Sequence, residues 1–329
     1  VKPLIVIGAS AGGVEALSVI FSSLPPDFPA AVLVVTHIGA RDSVLPELLA
    51  KTSALPVRYA RDGEPLLAGR ILIAPPDQHM LVTSLDGQSV IELTRGPKEN
   101  HTRPAIDPLF RTAAAAAGAN VIGVVLTGFL DDGTAGLAAI KACGGTAIVQ
   151  QPSEAVAPSM PQSALLNVQV DQCLPVAQIG PALLALVIGR QSAAITSAIP
   201  EVTVVENRFA RGGGDMEELQ KIATPSTFTC PECHGALWEL HAQQPRRFRC
   251  HTGHSFTSTI LAELQHEKAE DAIWAAVRAL QEKQRLYESL AAKATTWRHA
   301  GTAIDYAAKA AQAHEQAELL RSVLLKAAA

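Results

Sequence analysis

The chain has 329 residues, 48% hydrophobic, 18% charged and 4% aromatic, which excludes disordered, collagen-like and disulfide-scaffold proteins and fits two folded units or one with an appendage. Lys and Arg total 27 against 31 Asp and Glu, so the net charge of −4 offers no overall positive field for nucleic acid or acidic lipid. The opening Val1-Lys2-Pro3-Leu4-Ile5-Val6-Ile7-Gly8 lacks the basic head, apolar stretch and cleavage site of a secretory signal, which predicts a cytoplasmic protein.

Short apolar runs at residues 4–7, 31–36, 70–74, 121–127 and 146–150 alternate with Ala/Leu-rich helical segments. Continuous apolar strands imply burial on both faces, hence a doubly wound, mostly parallel α/β sheet. Two β-rich pieces, ending near Thr83 and spanning 89–93, flank a turn with Asp86-Gly87, which predicts an antiparallel hairpin at one edge of that sheet. The uncharged stretches 112–130 and 174–189 are broken by Gly118 and Asn120, and by Pro175, Gly180 and Pro181, and read as buried elements and not as membrane spans. The first domain is expected to cover 1–190, followed by a linker over 191–225 through Arg211-Gly212-Gly213-Gly214-Asp215. A Cys/His module is expected over 226–256 and a helical hairpin over 257–329. In that hairpin one stripe carries Ile273, Val277, Leu280, Tyr287, Leu290, Ala294 and Trp297, Gly301 offers the turn, and Ile304, Ala308, Ala311, Leu319 and Val323 form the second stripe. The hairpin is expected to contact a protein partner or a second copy of the chain.

The first strand runs into Gly8-Ala9-Ser10-Ala11-Gly12-Gly13 and then a helix start, so backbone N–H groups and the helix dipole gather at the turn. Ser10 there reads as a nucleophile, with a phosphate-binding loop or a simple N-cap as the alternatives. A dehydrogenase would need an acid after the second strand and a Tyr with Lys four residues on; the strand ends Val35-Thr36-His37, and Tyr59, Tyr287 and Tyr306 lack that Lys. An α/β-hydrolase would need a His late in the domain, and none follows His101 before residue 190. Of His37, His79 and His101, only His37 falls directly after a strand. Asp131 and Asp132 follow the 121–127 run at the same edge, as an orienting acid or else as a metal ligand or helix cap. Ser10, His37 and one of these two acids form a Ser-His-Asp set, with the N–H groups of Ala11 and Phe129 as the oxyanion donors.

These residues resemble the catalytic domain of the CheB family of chemotaxis protein-glutamate methylesterases over about residues 3–190. The motifs that carry the resemblance are Ile7 to Gly13, Thr36-His37, Ile73-Ala74-Pro75-Pro76-Asp77-Gln78-His79-Met80, Arg103-Pro104-Ala105-Ile106-Asp107, Leu126 to Gly133, and Ser159-Met160-Pro161. The resemblance implies Ser10 as nucleophile, His37 as base and Asp132 as the acid, because the family's acid precedes Gly. It also implies hydrolysis of γ-glutamyl methyl esters on chemoreceptors to glutamate and methanol, with glutamine deamidation as a companion activity and no cofactor for catalysis. Ala11, Thr36 and Phe129-Leu130 depart from the family pattern around the oxyanion and substrate loops, where they bear on receptor specificity. The phospho-receiver domain usual in the family has no counterpart in this sequence. A non-catalytic receptor-binding adaptor on an esterase scaffold is the competing reading, and an esterase or deamidase outside chemotaxis is a third.

Cys230-Pro231-Glu232-Cys233 and Cys250-His251-Thr252-Gly253-His254 pair a Cys-Xaa2-Cys knuckle with a Cys-Xaa3-His half. This spacing predicts a zinc-ribbon-like module in which Cys230, Cys233, Cys250 and His254 hold a structural zinc, with His251 as the alternative fourth ligand. About thirty residues with few apolar groups need such a staple to fold. Cys143 and Cys173 are expected to be buried core thiols.

Overall fold

Seven strands, five of them built on largely apolar runs, form one sheet. The computed structural model describes residues 3–37, 44–85, 87–189, 198–241 and 244–327. The first part of the chain contains β1 (Leu4–Ala9), β2 (Ala31–Thr36), β3 (Val57–Tyr59), β4 (Arg70–Ile73), β5 (His79–Leu85), β6 (Gln88–Thr94), β7 (Val121–Val125), β8 (Thr146–Gln150) and β9 (Gln172–Leu174), which alternate with helices except from β3 to β6, where strand follows strand. The sheet order is β3-β4-β2-β1-β7-β8-β9, every pair parallel, so the winding reverses between β1 and β7. In such sheets the crevice at the reversal, beyond the carboxyl ends of the strands, is where ligands gather.

The side-chain period of two divides the apolar runs between two cores. Leu4 and Val6 of β1 join Leu33, Val35 and Val125 on one face, under α3 (Ile106–Ala117) and α4 (Thr134–Ala142). Ile5 and Ile7 join Val32, Val34 and Val124 on the other, under α1 (Gly13–Ser22), α2 (Leu45–Ala50) and α6 (Val176–Gly189). The short α5 (Ser159–Asn167) adds Met160 and Ala164 to the first core.

The antiparallel hairpin forms, but at a different place from the one its sequence suggests. β5 and β6 make a separate two-stranded sheet, and Met80, Val82 and Ile91 pack into the core on the α3 face. The edge positions belong instead to the three-residue β3 and β9, too short to stand out in an apolar pattern. Asp86 of the expected turn lies outside the described residues.

The expected linker is also folded in its described part. Residues 191–197 lie outside the description, but α7 (Glu201–Ala210) and α8 (Met216–Ile222) follow, and the glycines between them form a tight turn closed by the Asp215 side chain, which caps α8 by accepting the Glu218 N–H at 2.9 Å. Val205, Phe209, Leu219 and Ile222 bury a small core with Leu240 of the second sheet. That sheet is antiparallel, in the order β10 (Ala223–Thr229), β11 (Ala236–Leu240), β12 (Arg247–Cys250), β13 (Ser255–Thr257). Both sheets belong to one compact unit, Val1–Ile260, so the boundary expected at 190 does not separate the α/β fold from the Cys/His module.

Leu261–Ala329 form the other unit, made from α9 (Ser258–Thr296) and α10 (Ala300–Ala327). The α9 stripe holds through Val277 and Ala294, which are buried, but Trp297 is exposed. On α10 the buried residues are Ala310, Ala313 and Ala317, whereas Ile304, Leu319 and Val323 of the expected stripe are exposed, as are Ala308 and Ala311. Small side chains let two helices approach closely, so here the alanines pack and the bulkier residues point away. Residues 297–299 make the turn, with Arg298 at φ 61°, and Gly301 lies inside α10. Among the described residues no helix is long and apolar enough to cross a membrane.

Candidate active site and metal cluster

Strand register brings distant side chains to one rim. β1 and β2 pair from Leu4 with Ala31 to Ala9 with Thr36, so the next residues, Ser10 and His37, emerge side by side. The His37 N–H donates to the Ala9 carbonyl at 3.3 Å, and the Ser10 N–H donates to the Thr127 carbonyl at 2.9 Å, beyond the end of β7. His37 Nδ1 lies 3.2 Å from Ser10 Oγ, and His37 Nε2 lies 2.8 Å from Asp132 Oδ2. An ionised carboxylate only accepts, so Nε2 carries the ring proton and Nδ1 turns its lone pair to the hydroxyl.

Two glycines make room for this geometry. Gly12 sits at φ 76° before α1, where a Cβ would come within 2.6 Å of Val156 Cβ. A Cβ on Gly128 would collide with Met160 Sδ and approach Ser10 Cβ to 2.8 Å. The Thr127 hydroxyl ties the two loops together, donating to the Ala11 carbonyl at 2.8 Å and accepting from the Ala157 N–H at 2.9 Å. Ala11 follows Ser10 in the turn before α1, and Phe129 is exposed on the neighbouring loop.

Asp132 is buried and held on all sides. Besides His37, its Oδ2 accepts the Ile106 N–H at 2.7 Å, and its Oδ1 accepts from the Asn100 amide at 2.8 Å, the Gly133 N–H at 3.0 Å and the Asp107 N–H at 3.3 Å. The start of α3 thus points N–H groups at the carboxylate. Burial alone pushes the Asp132 carboxyl upward, but the hydrogen bond and charge of His37, with the Ile106 N–H and Asn100, bring it below its ordinary value. Asp131 turns away and accepts from the Thr257 hydroxyl at 2.7 Å; burial raises its carboxyl despite that bond. Between the two acids left open by the sequence, the fold therefore gives Asp132 to the imidazole and Asp131 to the second sheet.

Several residues of this neighbourhood escaped sequence reasoning. Asn100 donates to Asp132 and also to Asp107 Oδ2 at 2.9 Å. Burial, then the charge of Asp132, pushes the Asp107 carboxyl up to about 7. Glu99, Arg111, Glu206, Arg247 and Arg249 form a buried ion network: Arg111 holds Glu99 through two bonds of 2.9 and 2.7 Å, and Arg247 holds Glu206 through bonds of 2.7 and 2.6 Å. Arg249 bridges both acids, at 3.1 Å to Glu99 and 2.7 Å to Glu206. Charged residues normally mark solvent-facing positions, and only the run Lys98-Glu99-Asn100-His101 hinted at a polar feature here. Of the three histidines before residue 190, His79 and His101 stand apart from Ser10 and Asp132. His79 is buried, accepts the Ala105 N–H at Nδ1 and donates from Nε2 to the Pro97 carbonyl, while His101 pairs with Glu232.

The cysteine spacing also converges in space. The ligand atoms of Cys230, Cys233, Cys250 and His254 all lie within 4.8 Å of one another. Cys233 Sγ is 3.7 Å from Cys250 Sγ, which is 3.6 Å from His254 Nδ1. Metal–sulfur bonds of about 2.3 Å at tetrahedral angles require sulfurs about 3.8 Å apart, so the four residues fit a tetrahedral ion. His251 is exposed and is not one of this group. Cys143 is buried as expected, whereas Cys173 is exposed on the edge strand β9.

The CheB methylesterase family model matches residues 5–183. A protein-glutamate methylesterase/protein-glutamine glutaminase 2 of Anaeromyxobacter dehalogenans is 42% identical over 181 residues, 55% of this chain and 52% of that protein. A protein-glutamate methylesterase/protein-glutamine glutaminase of Ralstonia nicotianae is 39% identical over 185 residues, 56% of this chain and 48% of that protein. The chain thus spans about half the length of the curated relatives it matches. The crystal structure of the Thermotoga maritima CheB methylesterase catalytic domain superposes with a TM-score of 0.55 at 35% identity, covering 56% of this chain and 99% of that one.

Proposed function

We propose, since this chain belongs to the CheB methylesterase family, that it hydrolyses γ-glutamyl methyl esters on chemoreceptor-type proteins through Ser10, His37 and Asp132. The observation that carries the reading is the single chain of contacts from Ser10 Oγ through both ring nitrogens of His37 to Asp132. His37 Nδ1 takes the hydroxyl proton as Oγ attacks the ester carbonyl, and the ionised Asp132 stabilises the imidazolium that results. The tetrahedral intermediate collapses to an acyl-enzyme, and the imidazolium returns its proton to the departing methoxide, which leaves as methanol. Water, activated by the same imidazole, then releases glutamate and restores Ser10. An amide side chain would follow the same course with ammonia leaving, which makes glutamine deamidation a companion activity.

The N–H groups of Ala11 and Phe129 serve as oxyanion donors in this scheme. The loop that carries Asp132 also borders a cleft of about 450 Å³, lined by Leu130, Asp131, Gln162, Leu166, Arg246 and Thr259, which offers space for the flanking substrate segment. Zinc is the metal the Cys230, Cys233, Cys250 and His254 set suits; with all four positions taken by protein it would supply folding energy and no open site for chemistry. Receptors of this kind present their methylation sites in the cytoplasm, which makes that the working compartment. The exposed Trp297, Ile304 and Leu319 support a protein contact through the helical pair, with a partner or a second copy.

Methanol release from a methylated receptor fragment tests the assignment. The Ser10→Ala variant is expected to lose at least ~10³-fold in rate. Undiminished release by that variant would exclude the nucleophile and with it the mechanism.

A further inference from the structure

The loop from Lys98 to Thr102 touches the triad on one side and the Cys/His sheet on the other. On the first side the Asn100 amide nitrogen reaches both Asp132 Oδ1 and Asp107 Oδ2. Both neighbours are carboxylate oxygens, so only the NH₂ face of the amide satisfies them. Asn100 is buried and holds φ 52°, a left-handed backbone that Asn tolerates and most residues do not.

On the second side the loop behaves as an added strand of the Cys/His sheet. The Asn100 N–H donates to the Ser255 carbonyl at 2.8 Å, the Ser255 N–H donates to the Lys98 carbonyl at 3.4 Å, and Glu99 pairs with Ser255 in a parallel bridge. Glu99 is clamped between Arg111 of α3 and Arg249 of β12. Glu232, inside the Cys-Xaa2-Cys knuckle, meets His101 Nδ1 and lies 3.7 Å from Lys98 Nζ. Arg249 directly precedes Cys250, and Glu232 directly precedes Cys233, so two of the loop's grips are adjacent in sequence to two of the clustered sulfurs.

We infer that Asn100 is a positioning residue, whose amide fixes Asp132 in line with His37, and that the Cys/His sheet holds Asn100 in place for that task. The orienting acid then depends on a segment more than a hundred residues further along the chain, outside the region the family model matches. A loosened loop would leave Asp132 Oδ1 without its side-chain donor and its aim at the imidazole to the backbone N–H groups of Ile106, Asp107 and Gly133 alone, while Ser10 and His37 stay fixed by β1 and β2.

The inference rests on the hydrolase reading, and the test separates the two. Acylation of Ser10 by a fluorophosphonate gives a maximal rate and a half-saturating concentration, and proton NMR follows the far-downfield resonance of the His37–Asp132 hydrogen bond without any need for turnover. Asn100→Gly keeps the left-handed backbone and removes only the amide; Asn100→Asp keeps the shape, removes the donor and adds a charge between two carboxylates. Asn100→Gly is expected to lower the maximal rate on the order of tenfold with half-saturation unchanged, to move the pH–rate profile and to shift the NMR resonance, with Asn100→Asp lower still. Stripping metal with a chelator is expected to lower the wild-type rate similarly, to be reversed by zinc alone, and to add little in the Asn100→Gly background. Wild-type rate, profile and resonance in Asn100→Gly would overturn the positioning role. An equal chelator effect in both backgrounds, or none in wild type, would overturn the link to the Cys/His sheet. A wild type that shows the resonance yet never reacts would sink the hydrolase reading, and the resonance in Asn100→Gly would then decide the positioning role.

Discussion

The two sheets of the first unit are built on different physics. The parallel sheet buries aliphatic strands on both faces, each fully buried Val, Leu or Ile contributing about 1.5–3 kcal/mol whatever the pH. The Cys/His sheet has few such residues, and its fourfold ligand cluster, its small core under α7 and α8, and five buried charges do the corresponding work. The first kind of stability tolerates small errors in geometry. The second is cooperative and breaks when one member is removed, because a charge stripped of its partner stays behind in a medium that solvates it poorly.

Chelation is the hardest blow to that contrast. Removing the metal proposed for the Cys/His cluster is expected to abolish hydrogen-exchange protection in β11 and β12 while leaving β1 and β7 protected, because binding free energy and folding free energy are the same quantity in so small a sheet. Simultaneous loss in both sheets would show that they do not differ in this way. Next in size, Arg249→Leu leaves Glu99 and Glu206 each one bond short and is expected to cost about 3–5 kcal/mol in urea denaturation. Leu33→Ala in the parallel sheet should cost about 2–5 kcal/mol, but with no dependence on pH. A pH-dependent loss there would remove the distinction.

A smaller effect tests the seam between the sheets. Asp107 titrates near 7 in the folded protein and near ~3.9 in an unfolded chain, so between those values the native state keeps a proton that the unfolded state has released. Its contribution to stability therefore declines as pH rises through that window and levels off above 7, by roughly 1.4 kcal/mol per pH unit at most. Between pH 5 and 7 the wild type should lose up to about 2–3 kcal/mol more than Asp107→Asn, measured by denaturation at each pH. Equal slopes would place the proton elsewhere. Smallest of all, Lys309→Ala removes an exposed pair with Asp305 on α10 and is expected to leave the melting temperature unchanged.

The same contrast explains what could be read without coordinates. Five of the seven parallel strands are legible because residues buried on both faces must be continuously apolar, and the turn after β1 is legible because Gly12 has to accept a positive φ. Ser10, His37 and the Asp131-Asp132 pair follow from strand ends, which a linear pattern can locate, while the choice of Asp132 within the pair comes only from the family resemblance. The Cys/His set follows from ligand spacing. Glu206 and Asn100 were out of reach: their partners are Arg247 and Arg249 in one case and Asp132 in the other, pairings set by tertiary approach and not by any local period. The α7–α8 stretch read as linker for the same reason, since Val205 and Phe209 flank Glu206, a charge that faces inward, among exposed charges. On α10 the bulky residues mislead because alanines make the tighter seam.

The three-residue lengths of β3 and β9 carry a consequence of their own. An outer strand exposes unpaired amides to any neighbouring chain, and a long flat one invites stacking into fibrils. Here the wide parallel array tapers at both margins to segments that could offer a visiting strand only one or two bonds. Lengthening either margin with β-branched residues would trade colloidal safety for a little more pairing.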